Sequence, residues 1–215
     1  MKLFLNEKEN LYNLRDISNN RNYFCGGLRT KGKFKRNKKN SSLISIITVV
    51  KDDEKNISKT IKSVLDQNFK NFEYIIVDGN SSDETLKKIK KFQNKIDLWI
   101  SHKDKNLWQA LNMGIKAAEG EWIKRLDVDD VLLPNATKIL VDYYRRYHDV
   151  DFFFGSVKKH WGIISGFYPF KIKYSWFFYT SHSTGFFIKR KAAEKNGKYS
   201  LKYKYSSDFD YFYRL

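Results

Sequence analysis

At 215 residues, 41% hydrophobic and 17% aromatic, the chain can build one core of ordinary size and is too apolar for a disordered protein. Its single cysteine, Cys25, excludes an internal disulfide, and with no C-x-x-C pair and four scattered histidines there is no structural zinc site to propose. Lys and Arg number 41 against 24 Asp and Glu, a net charge of +17 that favours polyanions: nucleic acid, anionic lipid or phosphorylated small molecules.

The opening MKLFLNEKEN lacks the long apolar core of a signal peptide, and no segment approaches the ~18 apolar residues of a spanning helix. The expectation is a cytoplasmic protein, at most peripheral on the cytoplasmic face of a membrane. Residues 1–40 hold eleven basic and three acidic side chains. RTKGKFKRNKKNSS gives way abruptly to LISIITVV, so a boundary is expected near residue 42, with a basic extension over 1–42 and one ordered domain over 43–215.

From Leu43 the apolar pattern alternates between two periods. LISIITVV (43–50), a short β-branched run, predicts a strand buried on both faces. Ile57, Ile61, Val64 and Leu65 recur at helical spacing, and EYIIVD (73–78) is a second buried strand. Leu86, Ile89 and Phe92 predict a helix, DLWIS (97–101) a third strand, and Leu107, Ala110, Leu111, Gly114, Ile115 and Ala118 a further helix. EWIKRL (121–126) is the fourth strand. After residue 150 the pattern loosens. DFFFGSV reads as a strand, residues 161–181 are aromatic with Gly and Pro, and GFFIKRKAAEKNG reads as a strand entering a short helix. The alternation predicts an α/β fold, a mostly parallel sheet covered by helices on both faces, with its ligand crevice at the carboxyl ends of the strands.

Those ends carry KDDE (51–54), VDGNSSD (77–83) and LDVDD (126–130), so acidic groups collect where a site is expected. Asp127, Asp129 and Asp130 repel one another, which a divalent cation would relieve. Oxygen ligands without His or Cys suit Mg²⁺ or Mn²⁺. A calcium EF-hand fails, because Leu132 and Lys138 would stand at its glycine and glutamate positions. The competing explanation is that Asp129 or Asp130 caps the helix after Pro134. Ser81 and Glu84 have capping-box spacing, so VDGNSSDET could be a mere connector, with Asp78 the residue that meets a ligand. In YSSDFDYFYRL, Asp208 and Asp210 stand among aromatics, a setting that suits a general base but equally a helix start. His182 could touch a ligand or serve as a hydrogen-bonded structural histidine. GLRTKGKF (27–34) matches part of a P-loop by chance: Phe34 replaces the required Ser or Thr and no buried strand precedes it.

Together, SIITVVKDDEKNISKTIKSVLDQNFKNFEYIIVDGNSSDET, DKNLWQALNMGIKAAEGEWIKRLDVDD and SSDFDYFYRL, in this order, resemble the family 2 glycosyltransferases, inverting nucleotide-sugar enzymes with a Rossmann-like GT-A fold. The resemblance implies that Asp78, Thr48 and Asp127 bind the nucleotide and that Asp129 and Asp130 hold a divalent Mg²⁺ or Mn²⁺ in a DxD-type element. It also implies that Asp208 is the catalytic base. The expected partners are a nucleotide-sugar donor and a saccharide or lipid-linked acceptor, with the basic arm resting on an anionic membrane and no nucleic acid bound. Gly79 stands where many members have a second aspartate, and Asn106, Trp108 and Gln109 where relatives often carry Gly, Tyr and Asp, which points to a different donor preference. A nucleotide-sugar-binding protein without turnover and a basic nucleic-acid-binding protein are the alternatives; no RNP-like or helix-turn-helix signature supports the latter.

Overall fold

Ile44–Val50, written ISIITVV, is buried at every position and forms the centre of the sheet. Its β-branched residues suit a pleated surface covered on both sides. In the computed structural model, which describes residues 23–36, 43–164 and 183–215, this strand is β2. The others are β1 (Phe24–Gly26), β3 (Phe72–Asp78), β4 (Leu98–Ser101), β5 (Trp122–Arg125), β6 (Phe152–Phe154), β7 (Val157–Lys159), β8 (Gly162–Ile164) and β9 (Phe186–Lys189). The helices are α1 (Ile57–Leu65), α2 (Thr85–Lys91), α3 (Leu107–Ala117), α4 (Ala136–Arg146), α5 (Arg190–Asn196) and α6 (Ser207–Tyr213).

Seven strands form one mixed sheet in the order β1-β4-β3-β2-β5-β9-β6. The inner four, β4-β3-β2-β5, are parallel as expected, while β1, β9 and β6 join antiparallel at the two sides. Side chains alternate along β2: Ile47 and Val49 pack with α3, α5 and α6, whereas Ile44, Ile46 and Val50 pack with α1, α2 and α4. Helices therefore cover both faces. Gly114 lets α3 lie directly on β2, since a β-carbon there would stand 2.5 Å from the Ile47 Cγ2.

An order boundary near residue 42 does not hold for residues 23–36. β1 pairs with β4 through Phe24↔Ser101 and Gly26↔Trp99. Arg29, only 5% exposed, forms an ion pair with Glu73 and donates from Nη1 to Ala117 O (2.7 Å) at the carboxyl end of α3. Glu73 also accepts from the Ser45 hydroxyl (2.5 Å) and the Glu119 amide (2.7 Å). Lys35 Nζ donates to Asp97 Oδ2 (2.9 Å) and Phe72 O (2.7 Å). Basic residues assigned to the extension are thus partly the counter-charges of buried acids, which apolar periodicity cannot reveal.

Candidate active site

Parallel pairing brings the carboxyl ends of the inner strands into line: Val50 is beside Asp78 and Asp78 beside Ser101, while the Leu126 amide donates to Ile47 O (2.9 Å). The connectors leaving β2 and β3 lock together above this edge. Asp52 N donates to Ser81 Oγ (2.8 Å) and Ser82 N to Asp52 Oδ1 (2.6 Å). Asp52 (φ 50°) and Asn80 (φ 60°) adopt left-handed backbone conformations, a cost that Asp and Asn tolerate better than most residues.

Asp78 is buried at the end of β3. Ser81 Oγ donates to its Oδ1 (2.5 Å) and Ser101 Oγ to its Oδ2 (2.6 Å). The capping box expected of Ser81 and Glu84 is absent: Ser81 turns back to Asp78, and the Thr85 amide is met by Asp83 Oδ1 (2.9 Å). Thr48 is fully buried and shares a hydrogen bond with the Tyr74 hydroxyl (3.1 Å), on the sheet face covered by α1 and α2. A β-carbon at Gly79 would crowd Asp104 Oδ2 and Lys51 at 3.3 Å, and Asp104 Oδ1 meets His102 Nε2 at 2.5 Å.

Asp127, Asp129 and Asp130 occupy the turn after β5, closed by the Asp130 amide donating to Asp127 O (3.1 Å). Neither Asp129 nor Asp130 caps α4, whose N-cap is Asn135 and whose Thr137 amide donates to Gln67 Oε1 (3.2 Å). The three differ in what they hold. Asp127 takes a two-pronged grip from Arg125, Nε to Oδ1 at 2.8 Å and Nη2 to Oδ2 at 3.1 Å. Asp130 Oδ2 accepts from the Thr184 hydroxyl. Asp129 is exposed and bonds to no side chain among the described residues.

Two basic side chains lie behind this turn. Lys124 is fully buried, donates to the carbonyls of Arg125 and Thr184, and packs on the Phe187 ring. Burial pushes its pKa down to about 7, opposed by the charges of Asp127 and Asp130. For Arg125, burial works against the charge, but Asp127, with Tyr199 and Asp208, raises its pKa above the ordinary value. The chain therefore carries part of the counter-charge that the sequence argument assigned wholly to a metal. The signal was visible in the Lys-Arg pair just before LDVDD, but only the fold shows Arg125 gripping Asp127 and Lys124 buried within the influence of Asp127 and Asp130.

Asp208 lies in the first turn of α6, half-buried, and accepts from the Phe209 amide (2.9 Å). Its charge reaches both Arg125 and Tyr199. Asp210 is instead paired with Arg214 (3.0 Å). A stack ties the two halves of the site: the Arg125 guanidinium lies 5.3 Å from the Trp108 ring, Trp108 stacks on Tyr199 (5.5 Å) and Tyr199 on Tyr211 of α6 (3.9 Å). Of the positions that depart from the family pattern, Asn106 caps α3 by accepting from the Gln109 amide (3.1 Å), Gln109 Oε1 accepts from the Lys105 amide (2.8 Å), and Trp108 is this buried stacking ring. His182 lies outside the described residues.

Among the described residues no group of three or more His, Cys, Asp or Glu is gathered at metal-binding distance. Mg²⁺ and Mn²⁺ nonetheless take only one or two protein carboxylates, with water and substrate phosphates completing the shell. Asp129, unpaired and exposed, beside Asp130 fits that requirement.

The family Glycosyl transferase family 2 matches residues 45–200, and the chain belongs to it. An uncharacterized glycosyltransferase of Methanocaldococcus jannaschii is 29% identical over 186 residues, covering 80% of this chain and 64% of that protein. The Escherichia coli UDP-Glc:alpha-D-GlcNAc-diphosphoundecaprenol beta-1,3-glucosyltransferase WfgD is 32% identical over 53% of this chain and 45% of its own length. The crystal structure of Staphylococcus aureus TarS 1-349 shares the fold, with a TM-score of 0.65 at 20% identity over 80% of this chain and 54% of that one. The chain spans less than two thirds of the length of these relatives. Among the described residues no helix is long and apolar enough to cross a membrane.

Proposed function

We propose that the protein is an inverting glycosyltransferase that moves a sugar from a nucleotide-diphosphate sugar to an acceptor hydroxyl in the synthesis of a surface polysaccharide or glycolipid. The observation that carries this reading is the alignment of Asp78, the Asp127–Asp130 turn and the Arg125 side chain on one strand edge, with Asp208 in the field of that same arginine. Family membership supports it. WfgD, a transferase to alpha-D-GlcNAc-diphosphoundecaprenol, favours a diphosphate-linked polyprenyl acceptor, which fits a protein working at the cytoplasmic face of a membrane.

Asp78 and Asp127 belong to the nucleotide side of the site, where Asp127 is oriented by Arg125. Thr48 supports this side from within the core, through Tyr74. Asp129 and Asp130 would hold a Mg²⁺ or Mn²⁺, which when bound neutralises charge on the departing diphosphate. Asp208 accepts the proton of the acceptor hydroxyl as that oxygen bonds to the anomeric carbon. The bond from this carbon to the diphosphate oxygen breaks on the opposite face, inverting the configuration and releasing a nucleoside diphosphate.

Calorimetric titration of UDP, GDP and their sugars, with Mn²⁺ and with EDTA, tests the reading in the parent and in Asp129→Ala. Metal-dependent binding that disappears in the variant is expected. Folded protein that binds none of these nucleotides would overturn it, and salt-sensitive capture of an oligonucleotide in their place would favour the nucleic-acid alternative.

A further inference from the structure

β7 and β8 form a two-stranded ribbon separate from the main sheet. Val157 is buried at its root and pairs with Ile164, while the other end exposes large apolar groups: Trp161 is 66% exposed and Ile163 67%. Lys158 stands directly across the ribbon from Ile163 and is itself exposed. An aliphatic stem alongside an isoleucine with its ammonium beyond, next to a tryptophan at a turn, is the side-chain set that water–lipid interfaces accept: apolar body inward, cation at the headgroups. The sequence has no Asp or Glu between Asp151 and Glu194, so the ribbon's own stretch of chain carries no carboxylate to oppose an anionic surface.

The ribbon is rooted at the mouth of the candidate active site. The Gly155 amide donates to Gly185 O (2.7 Å), and the preceding Thr184 donates its hydroxyl to Asp130. A β-carbon on Gly185 would stand 3.3 Å from the Val157 Cγ2. Whatever the tip rests on is therefore connected through a few residues to the acidic turn.

We infer that the β7–β8 ribbon is a membrane-docking element that inserts Trp161 and Ile163 into the interface of an anionic bilayer, with Lys158 on the lipid phosphates, and so presents the site's mouth to the membrane. A ribbon this small offers far less than the ~800 Å² per partner of a stable protein interface, whereas interfacial anchoring needs only a few apolar side chains plus charge attraction. On a nucleic acid the indole could stack but Ile163 would remain in water. The inference goes beyond the transferase reading, and its test contains no nucleotide or sugar, so either can fail alone.

The test is co-sedimentation of the 215-residue chain with phosphatidylcholine vesicles, with and without about 30% phosphatidylglycerol, chosen to give the negative surface potential of a cytoplasmic leaflet. Binding to the anionic vesicles is expected, falling on the order of tenfold in Trp161→Ala/Ile163→Ser and about fivefold in Lys158→Glu. Leu133→Ser, which removes an exposed apolar residue elsewhere, should leave it unchanged. Trp161→Phe, a mild change, should keep binding but abolish the blue shift of tryptophan emission on vesicles. Full-strength binding by the folded double variant would overturn the inference by assigning the contact elsewhere in the basic chain. So would a parent protein that ignores vesicles, whether it binds oligonucleotides instead or forms dimers lost on substituting Trp161.

Discussion

Arg125 and Asp127 face each other as a planar fork against a carboxylate, two residues apart on the chain and joined by hydrogen bonds of 2.8 and 3.1 Å. The Arg125 side chain is 12% exposed and its guanidinium lies over the Trp108 ring. Such a pair fixes orientation as well as charge, which an ammonium cannot reproduce. Arg125→Gln leaves Asp127 without its partner beside two more carboxylates. It should cost about 1–3 kcal/mol of stability in urea denaturation and tighten Mn²⁺ binding measured by calorimetry without nucleotide. Arg125→Lys should recover little of the lost stability. Unchanged Mn²⁺ affinity in Arg125→Gln would show that this cation does not compete with the ion for the turn.

Asp129 and Asp208 should separate binding from turnover. Asp208→Asn keeps shape and the hydrogen bond from the Phe209 amide but loses the basic oxygen. Transfer should fall about 10²–10⁴-fold while nucleotide affinity holds, because a positioned general base contributes on that scale. Asp129→Ala should lose metal-dependent nucleotide affinity first. Equal loss of binding in both variants would place Asp208 on the donor side.

Much of this arrangement is legible in the sequence. Hydrophobic period alone found β2 to β5 and the helices between them, because runs such as ISIITVV and the α3 stripe permit few other solutions. The strand-end rule then pointed to Asp78 and the Asp127–Asp130 turn. What stayed hidden depends on long-range pairing. Arg29 and Lys35 fall in what reads as a basic extension until Glu73 and Asp97 are seen paired with them. The Ser81 hydroxyl could accept from an amide of the following helix, as the capping-box spacing suggests, or donate to the Asp78 carboxylate, and only tertiary geometry selects the second. Antiparallel β9 and β6 were also beyond reach as partners, since three- and four-residue strands carry too little periodicity to declare their direction.

The ion pair of Arg29 and Glu73 gives the upstream segment a measurable role. Glu73 is nearly inaccessible and is also bound by Ser45 and the Glu119 and Gly120 amides. Arg29→Met leaves that carboxylate buried without its cation, and removing one member of a buried pair costs about 3–5 kcal/mol. Arg29→Met/Glu73→Gln should recover part of the loss, since an amide can keep bonds to these neighbours without a buried charge. Urea denaturation of the three variants checks this. An additive double variant would mean that the two residues stabilise the fold independently.

Asp97 supplies a pH signature. Burial raises its carboxyl pKa above the ordinary 3.8, while Lys35 and the Tyr74 amide pull it back. Only Oδ2 is bonded, to Tyr74 N at 2.8 Å and Lys35 Nζ at 2.9 Å; Oδ1 is buried without a partner. Since the folded value lies above the unfolded one, the native state holds a proton that the unfolded chain has already released. The resulting stability is full below the unfolded value and is lost as pH rises through the folded value. Asp97→Asn does not titrate and can present an amide where Oδ1 stands. Urea denaturation between about pH 3 and pH 7 should therefore show the parent losing ground to Asp97→Asn as pH rises. The opposite slope would mean that the Lys35 ion pair outweighs desolvation at this carboxylate.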